Sequence, residues 1–173
     1  MLSAIVLAAD SRHKPASPEA MVRTLAALVP AAIEGLVRDV TLAGPAGSDL
    51  AAIADHAGCE FTECTDPGQI VAQALKLSRG PVVFLLRAGR APEAGFIDEI
   101  GDFLARSDAG QRGALMRDRP ETFWTRTMPV LSPVVGVIAA RQRMMEAGKG
   151  DLASLVRALR PQVTLRARGR RVD

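Results

Sequence analysis

FLLRAGRAPEAGF, Phe84 to Phe96, begins as the end of the apolar run PVVFLL and closes as the entry to a helix, with Arg87, Ala88 and Gly89 at the join. A run that is apolar at successive positions, rather than at alternate ones, reads as a strand covered on both faces. The pattern recurs in SAIVLAA (Ser3 to Ala9) and VVGVIAA (Val134 to Ala140). Amphipathic stretches lie between these runs. Glu19 to Ala32 reads as a helix with Met21, Leu25 and Leu28 inward, which Pro30 should end or kink. Val37 to Ala43 is a strand, Ser48 or Asp49 caps a helix running to about Ala57, and CEFTEC is a short strand. Asp66 and Pro67 open a helix over Gly68 to Leu77 as N-cap and first position. Glu93 to Ala105 is helical with Phe96, Ile100, Phe103 and Leu104 inward, and Gln111 to Met116 reads as an edge strand. Asp118 to Ser132 is the least regular part. A helix around Met144, a helix over Leu152 to Leu159 and a strand near Val163 to Leu165 complete the chain.

Alternating strands and helices with doubly buried strands predict a three-layer α/β/α domain with a mostly parallel sheet and right-handed crossovers. Residues 1–160 make the domain, and 161–173 add a final strand and a basic C-terminal tail. Ligands of such sheets bind outside the carboxyl ends of the strands. The loops to inspect are therefore Ala9 to Lys14, Ala43 to Asp49, Thr62 to Asp66 and Arg87 to Ala91.

Composition narrows the function classes. A hydrophobic share of 48% against 24% charged residues is that of an ordinary globular protein and argues against disorder. Aromatic residues are only 3%, with no Tyr, so Ala, Val and Leu supply most of the core. The net charge of +3 is concentrated at the end of the chain, where Arg157, Arg160, Arg166, Arg168, Arg170 and Arg171 face Asp173 alone. RARGRR has no interleaved aromatics for stacking bases, so a solvated tail is favoured over a nucleic-acid surface. Such a tail leaves open peripheral contact with an acidic membrane surface or a partner. No segment has the length of a transmembrane helix. Cys59 and Cys64 have neither redox nor zinc spacing and read as small apolar fillers in a reducing cytoplasm. His13 and His56 form no visible dyad, Met144 and Met145 read as helix packing, and Trp124 as a residue closing one end of the core.

At the four loops the sequence resembles family 2 glycosyltransferases of the GT-A (nucleotide-diphospho-sugar transferase) fold, especially short bacterial members. The likeness covers roughly Leu2 to Leu159. VRTLAALVPAAIEGLVRDVTLAGPAGSDLAAIADHAGC looks like their first helix, second strand and next helix; FLLRAGRAPEAGFIDE looks like the strand, D-x-D site and helix; and VVGVIAARQRMMEAGKGDLASLVRAL resembles the closing segment. The resemblance implies transfer of a sugar from a nucleotide-sugar donor. Three of its devices have changed here. The base-contacting Asp is Ala43, D-x-D reads Arg87-Ala88-Gly89, and the acidic pair that supplies the acceptor base has only Glu146 and Asp151 nearby. With the D-x-D acids absent, no divalent metal is expected.

Arg87 then has two readings: a guanidinium that replaces the metal at a diphosphate, helped by Arg90, or a strand-end surface residue left behind when the acids were lost. Loss of the other two devices favours the second. Asp49 matches the last Asp of the family loop but is read as a helix cap. IVLAADSRHKP is also similar to the opening of sugar-phosphate and molybdopterin nucleotidyltransferases. Asp10 stands where their first glycine would be, while Arg12, His13 and Lys14 supply positive charge for a phosphate. The resulting expectation is a divergent glycosyltransferase-like domain, active without metal or inactive as a pseudoenzyme. Candidate donor residues are Asp10, Arg12, Asp49, Arg87 and Arg90, with Asp151 a weak catalytic candidate. The alternatives are a non-catalytic nucleotide- or protein-binding module and, third, a nucleotidyltransferase.

Overall fold

The computed structural model describes residues 1–9, 16–46, 49–66, 68–106, 111–148, 151–160 and 162–172. Seven strands form one sheet: β1 (Leu2–Leu7), β2 (Val37–Pro45), β3 (Glu60–Cys64), β4 (Val82–Arg87), β6 (Gly113–Arg117), β7 (Val134–Ala140) and β8 (Gln162–Thr164). Their order is β3-β2-β1-β4-β7-β6-β8. All pairs are parallel except those of β7, which runs antiparallel to both β4 and β6. The mostly parallel α/β sheet expected from the doubly buried runs is thus present, and all six residues of β1 are buried.

Helices cover both faces. On one side, α1 (Pro18–Ala26), α2 (Val29–Ile33), α3 (Leu50–Ala57) and α5 (Phe96–Ala105) pack Met21, Leu25, Leu50, Phe96 and Ile100 against Leu2, Val6, Phe84 and Leu86. On the other, α4 (Ile70–Leu77), α7 (Arg141–Glu146) and α8 (Leu152–Ala158) pack Ile70, Leu75, Met144, Leu152 and Leu155 against Ile5, Leu7, Val83 and Leu85. The polar exception inside β1 is satisfied. Ser3 Oγ donates to Asp39 Oδ1 at 2.7 Å and accepts from the Gly80 amide at 2.7 Å. A Cβ on Gly80 would stand 2.8 Å from the Ser3 nitrogen, which is why the break before β4 carries glycine.

Several local expectations are corrected. The single helix over Glu19 to Ala32 is two: α1 stops at Ala26, four residues before Pro30, whose ring excludes the carbonyl at that distance. Pro30 instead sits in the first turn of α2. Helix α4 starts at Ile70, because Asp66 holds a turn ahead of it, accepting from the Gly68 amide and from Gln69 Nε2, both at 2.9 Å. Pro67 lies outside the described residues, as does Ser48. Strand β6 is interior rather than an edge, lying between β7 and β8. The irregular segment contains α6 (Phe123–Thr127) and a 3-10 turn over Pro129–Leu131, neither with a buried residue. Trp124 therefore does not close the core: it is 70% exposed, in an edge contact with Phe123.

The largest correction concerns the C-terminal residues. They are not a solvated tail. Leu165, Ala167 and Gly169 are buried, and β9 (Gly169–Arg171) pairs antiparallel with β5 (Arg90–Pro92), the short strand that follows β4. Both Glu99 carboxylate oxygens accept backbone amides, from Arg166 and Ala167, each at 2.8 Å. At Gly169 a Cβ would meet Val135 Cγ2 at 2.6 Å, so this close approach admits no side chain.

Candidate functional site

The carboxyl edge of the sheet is where chemistry is expected, and Arg87 ends β4 there, in register with Leu7 of β1. The chain then turns sharply through Ala88 and Gly89 into β5. Every polar backbone group of that corner named below has a partner. The Ala88 amide donates to the Leu7 carbonyl at 2.9 Å and the Gly89 amide to Thr24 Oγ1 at 2.9 Å. The Gly89 carbonyl accepts from the Val172 amide at 3.1 Å and from Arg90 Nη1 at 3.0 Å. Gly89 has φ +77°, a left-handed conformation that glycine takes without a Cβ penalty. Ala88 is buried.

A hard divalent cation demands several oxygen ligands. Ala88 and Gly89 have no side-chain oxygen, and the Gly89 carbonyl already takes two donors. The corner is a built structural joint between β4, α1 and the C-terminal strand. Arg87 stands at its edge, half-buried.

The other candidates fare differently. Arg90 is held in an ion pair, with Nε and Nη2 both 2.9 Å from Asp118 Oδ2. Asp118 is largely buried, and burial pushes its carboxyl above the ordinary aspartate range, against the opposing pull of Arg90. Asp49 occupies the cap position of α3, yet its side chain makes no capping hydrogen bond and is exposed, which corrects the expected cap. Asp151 is the N-cap of α8, its Oδ1 accepting the Ser154 amide at 2.8 Å. Glu146 accepts from Gln142 Nε2 at 2.8 Å. Asp10 and Arg12, with His13 and Lys14, lie outside the described residues.

Thr24, Asp118, Arg117 and Arg168 were not singled out for this edge by their sequence context. Asp118 and Arg117 did carry a usable signal, since both follow directly on the apolar strand residues of GALM, as Arg87 follows FLL. Thr24 and Arg168 carried none, because their places depend on tertiary contacts. The mainly apolar cleft lined by Leu25, Leu28, Val29, Val37, Ile53 and Cys59, about 690 Å³, lies at the opposite rim, beside the start of β2. Burial there pushes the Cys59 thiol up, away from the reactive thiolate.

No protein-family profile matches the chain, and no curated protein matches it. Solved structures do. A mycobacterial protein superposes with a TM-score of 0.66 at 18% identity, over 95% of this chain and 65% of that one. Glucosyl-3-phosphoglycerate synthase from Mycobacterium tuberculosis, in complex with phosphoglyceric acid, gives 0.62 at 16% identity, over 95% and 70%. A 4-diphosphocytidyl-2C-methyl-D-erythritol synthase from Anaerococcus prevotii gives 0.63 at 10% identity, over 99% and 89%. The chain thus has a GT-A-like fold, shared with nucleotide-sugar transferases and nucleotidyltransferases, and spans about two thirds of the length of the mycobacterial structures. The Mycobacterium tuberculosis synthase has also been solved with Mn2+ and UDP-glucose. In this chain no helix among the described residues is long and apolar enough to cross a membrane.

Proposed function

We propose that this protein is a divergent nucleotide-sugar-binding domain of the glycosyltransferase type, which holds the donor diphosphate on arginine rather than on a divalent metal. The observation that carries the reading is the position of Arg87. It ends β4 at the carboxyl edge, where the resemblance puts D-x-D, on a corner whose backbone bonds hold it in one conformation. A guanidinium presents planar paired donors to phosphate oxygens and needs no recruited ion. Arg90, committed to Asp118, supports the joint instead of the ligand.

A second reading, nucleotide binding without transfer, is favoured by the two acids nearest the closing segment. An acceptor base must be close to the attacking hydroxyl and able to take its proton. Asp151 is engaged in capping α8, and Glu146 is exposed and paired with Gln142. Titrating the full chain with nucleotides and nucleotide-sugars, with and without manganese, while following the thermal midpoint, tests binding. Ligand at one hundred times its Kd should stabilise by about 2.7 kcal/mol. The expected result is a manganese-independent shift that Arg87→Ala abolishes. Absence of a shift with every nucleotide sinks both readings, and product analysis on the ligand that binds decides between them.

A further inference from the structure

Arg117 closes β6, and Arg168 precedes β9. The parallel bridge between Asp118 and Gly169 sets these two arginines in register, side by side. Arg117 Nη1 donates to the Ser132 carbonyl at 2.7 Å, but its Nε is buried with no hydrogen-bond partner. Arg168 Nη1 and the hydroxyl of Ser132, a residue only 1% exposed, are buried without a partner as well. Three residues, linked by the Arg117–Ser132 bond and the Arg117–Arg168 register, thus each carry a buried polar atom without a partner. The nearby carboxylate does not answer them, since Asp118 takes Arg90 through Oδ2 and the Arg119 amide through Oδ1. Burial, and then the adjacent Arg168 charge, hold the Arg117 guanidinium below its ordinary range. Buried donors are nearly always paired, and a buried charge more so, so an unanswered group of this kind calls for an acceptor. Water could satisfy the donors but would leave two like charges uncompensated.

We propose that Arg117, Arg168 and Ser132 form an oxyanion site that takes a phosphate group, as free phosphate or as a phosphate ester. Two guanidinium groups match the charge of about −2 that a phosphate monoester carries near neutral pH. Their forked donors also match its oxygens. This site involves neither Arg87 nor nucleotide recognition, so it stands or falls apart from the donor reading.

The test uses the full chain in buffer free of phosphate and sulfate, titrated with inorganic phosphate against sodium chloride at equal ionic strength. Phosphate is expected to raise the thermal midpoint saturably and beyond chloride. Arg168→Gln is expected to weaken the apparent Kd at least ten-fold while leaving the midpoint in chloride unchanged or higher, because it removes one of two repelling cations. Should that variant fold poorly, Ser132→Ala supplies the second reading, again as a weaker phosphate response. Glycerol 3-phosphate separates the sources: tighter binding than inorganic phosphate identifies an ester, and equal binding identifies the free ion. A wild-type response no greater than that to chloride overturns the proposal, as does a full response retained in Arg168→Gln or, if that variant folds poorly, in Ser132→Ala.

Discussion

Replacing Thr24 by valine probes whether the Arg87-Ala88-Gly89 corner is a built joint or a loose remnant. Thr24 is fully buried, and valine keeps its shape. Its hydroxyl donates to the Ala20 carbonyl at 2.8 Å and accepts the Gly89 amide at 2.9 Å. Losing the first bond costs little, since that carbonyl keeps its partner in the helical ladder. Losing the second strands a buried amide, which costs about 1–3 kcal/mol. Relief of burying the hydroxyl offsets part of this, leaving a net of about 1–2 kcal/mol. For a chain of this length each kcal/mol moves the midpoint by about 2–4 °C, so Thr24→Val should melt about 2–8 °C lower. Urea unfolding should show a lower midpoint concentration with an unchanged slope. Thr24→Ser, which keeps the acceptor, should recover most of the bond, and Gly89→Ala should lose about 1–2 kcal/mol through its φ of +77° alone. Thr24→Val as stable as wild type would refute the reasoning: the Gly89 amide would then find another acceptor, and the corner would not be fixed by α1.

Two further predictions concern the same edge. Ending the chain at Leu165 removes the amides held by Glu99, the β5–β9 ribbon and the Val172–Gly89 bond, so circular dichroism should report a markedly lower melting point or loss of cooperative folding, whereas a solvated tail would leave melting unchanged. Asp118 has a folded-state pKa above its unfolded value, so the native state binds its proton more tightly and the group's contribution falls as pH rises through that raised value. Asp118→Asn should therefore lie within about 1 kcal/mol of wild type at pH 7 and lose ground to it as the pH is lowered. Asp118→Ala, which leaves Arg90 Nε and Nη2 without their acceptor in a mostly buried place, should cost roughly 2–4 kcal/mol. Urea titrations across pH 4 to 7 measure both, and an Asn variant that loses stability as pH rises would contradict the assigned direction.

What could be read from sequence divides by the range of the interaction. Strands β1, β4 and β7 declare themselves because both faces are buried, so their apolar runs need no knowledge of neighbours. The carboxyl edge, and Arg87 on it, follow from the direction of β1 and β4, whereas the reversed direction of β7 left no mark in its apolar run. Strand β9 is three residues, Gly169–Arg171, with two exposed arginines; its place is set by backbone pairing with β5 and by the close approach at Gly169, which leave no periodic trace. The same distance in sequence hid the Arg90–Asp118 pair and the alignment of Arg117 with Arg168. Asp49 shows the converse: a residue type suited to capping occupies the cap position without bonding there, because position alone does not orient the side chain.

An arginine-built phosphate site differs from a metal-built one in where its cost falls. A carboxylate pair without its cation stays hydrated, or protonates, at little expense to the fold. Guanidinium groups cannot shed their charge, so when buried beside each other they burden the empty protein with unmet donors and repulsion. The burden is lifted when the anion arrives, which makes binding and stability a single quantity. On the proposals above the edge has two such elements with different settings. Arg87 sits on a corner made rigid by backbone bonds and has partners of its own within the chain. Arg117 and Arg168 carry their own unsatisfied atoms, so their contribution should appear in the stability of the unliganded chain as well as in ligand affinity. Arg168→Gln should therefore leave the unliganded midpoint equal to or higher than that of wild type, whereas Arg87→Ala, which removes a half-buried side chain with partners inside the chain, should lower it. An equal loss of unliganded stability in both would mean that the edge is held by packing of arginine stems and not by the demand for an anion.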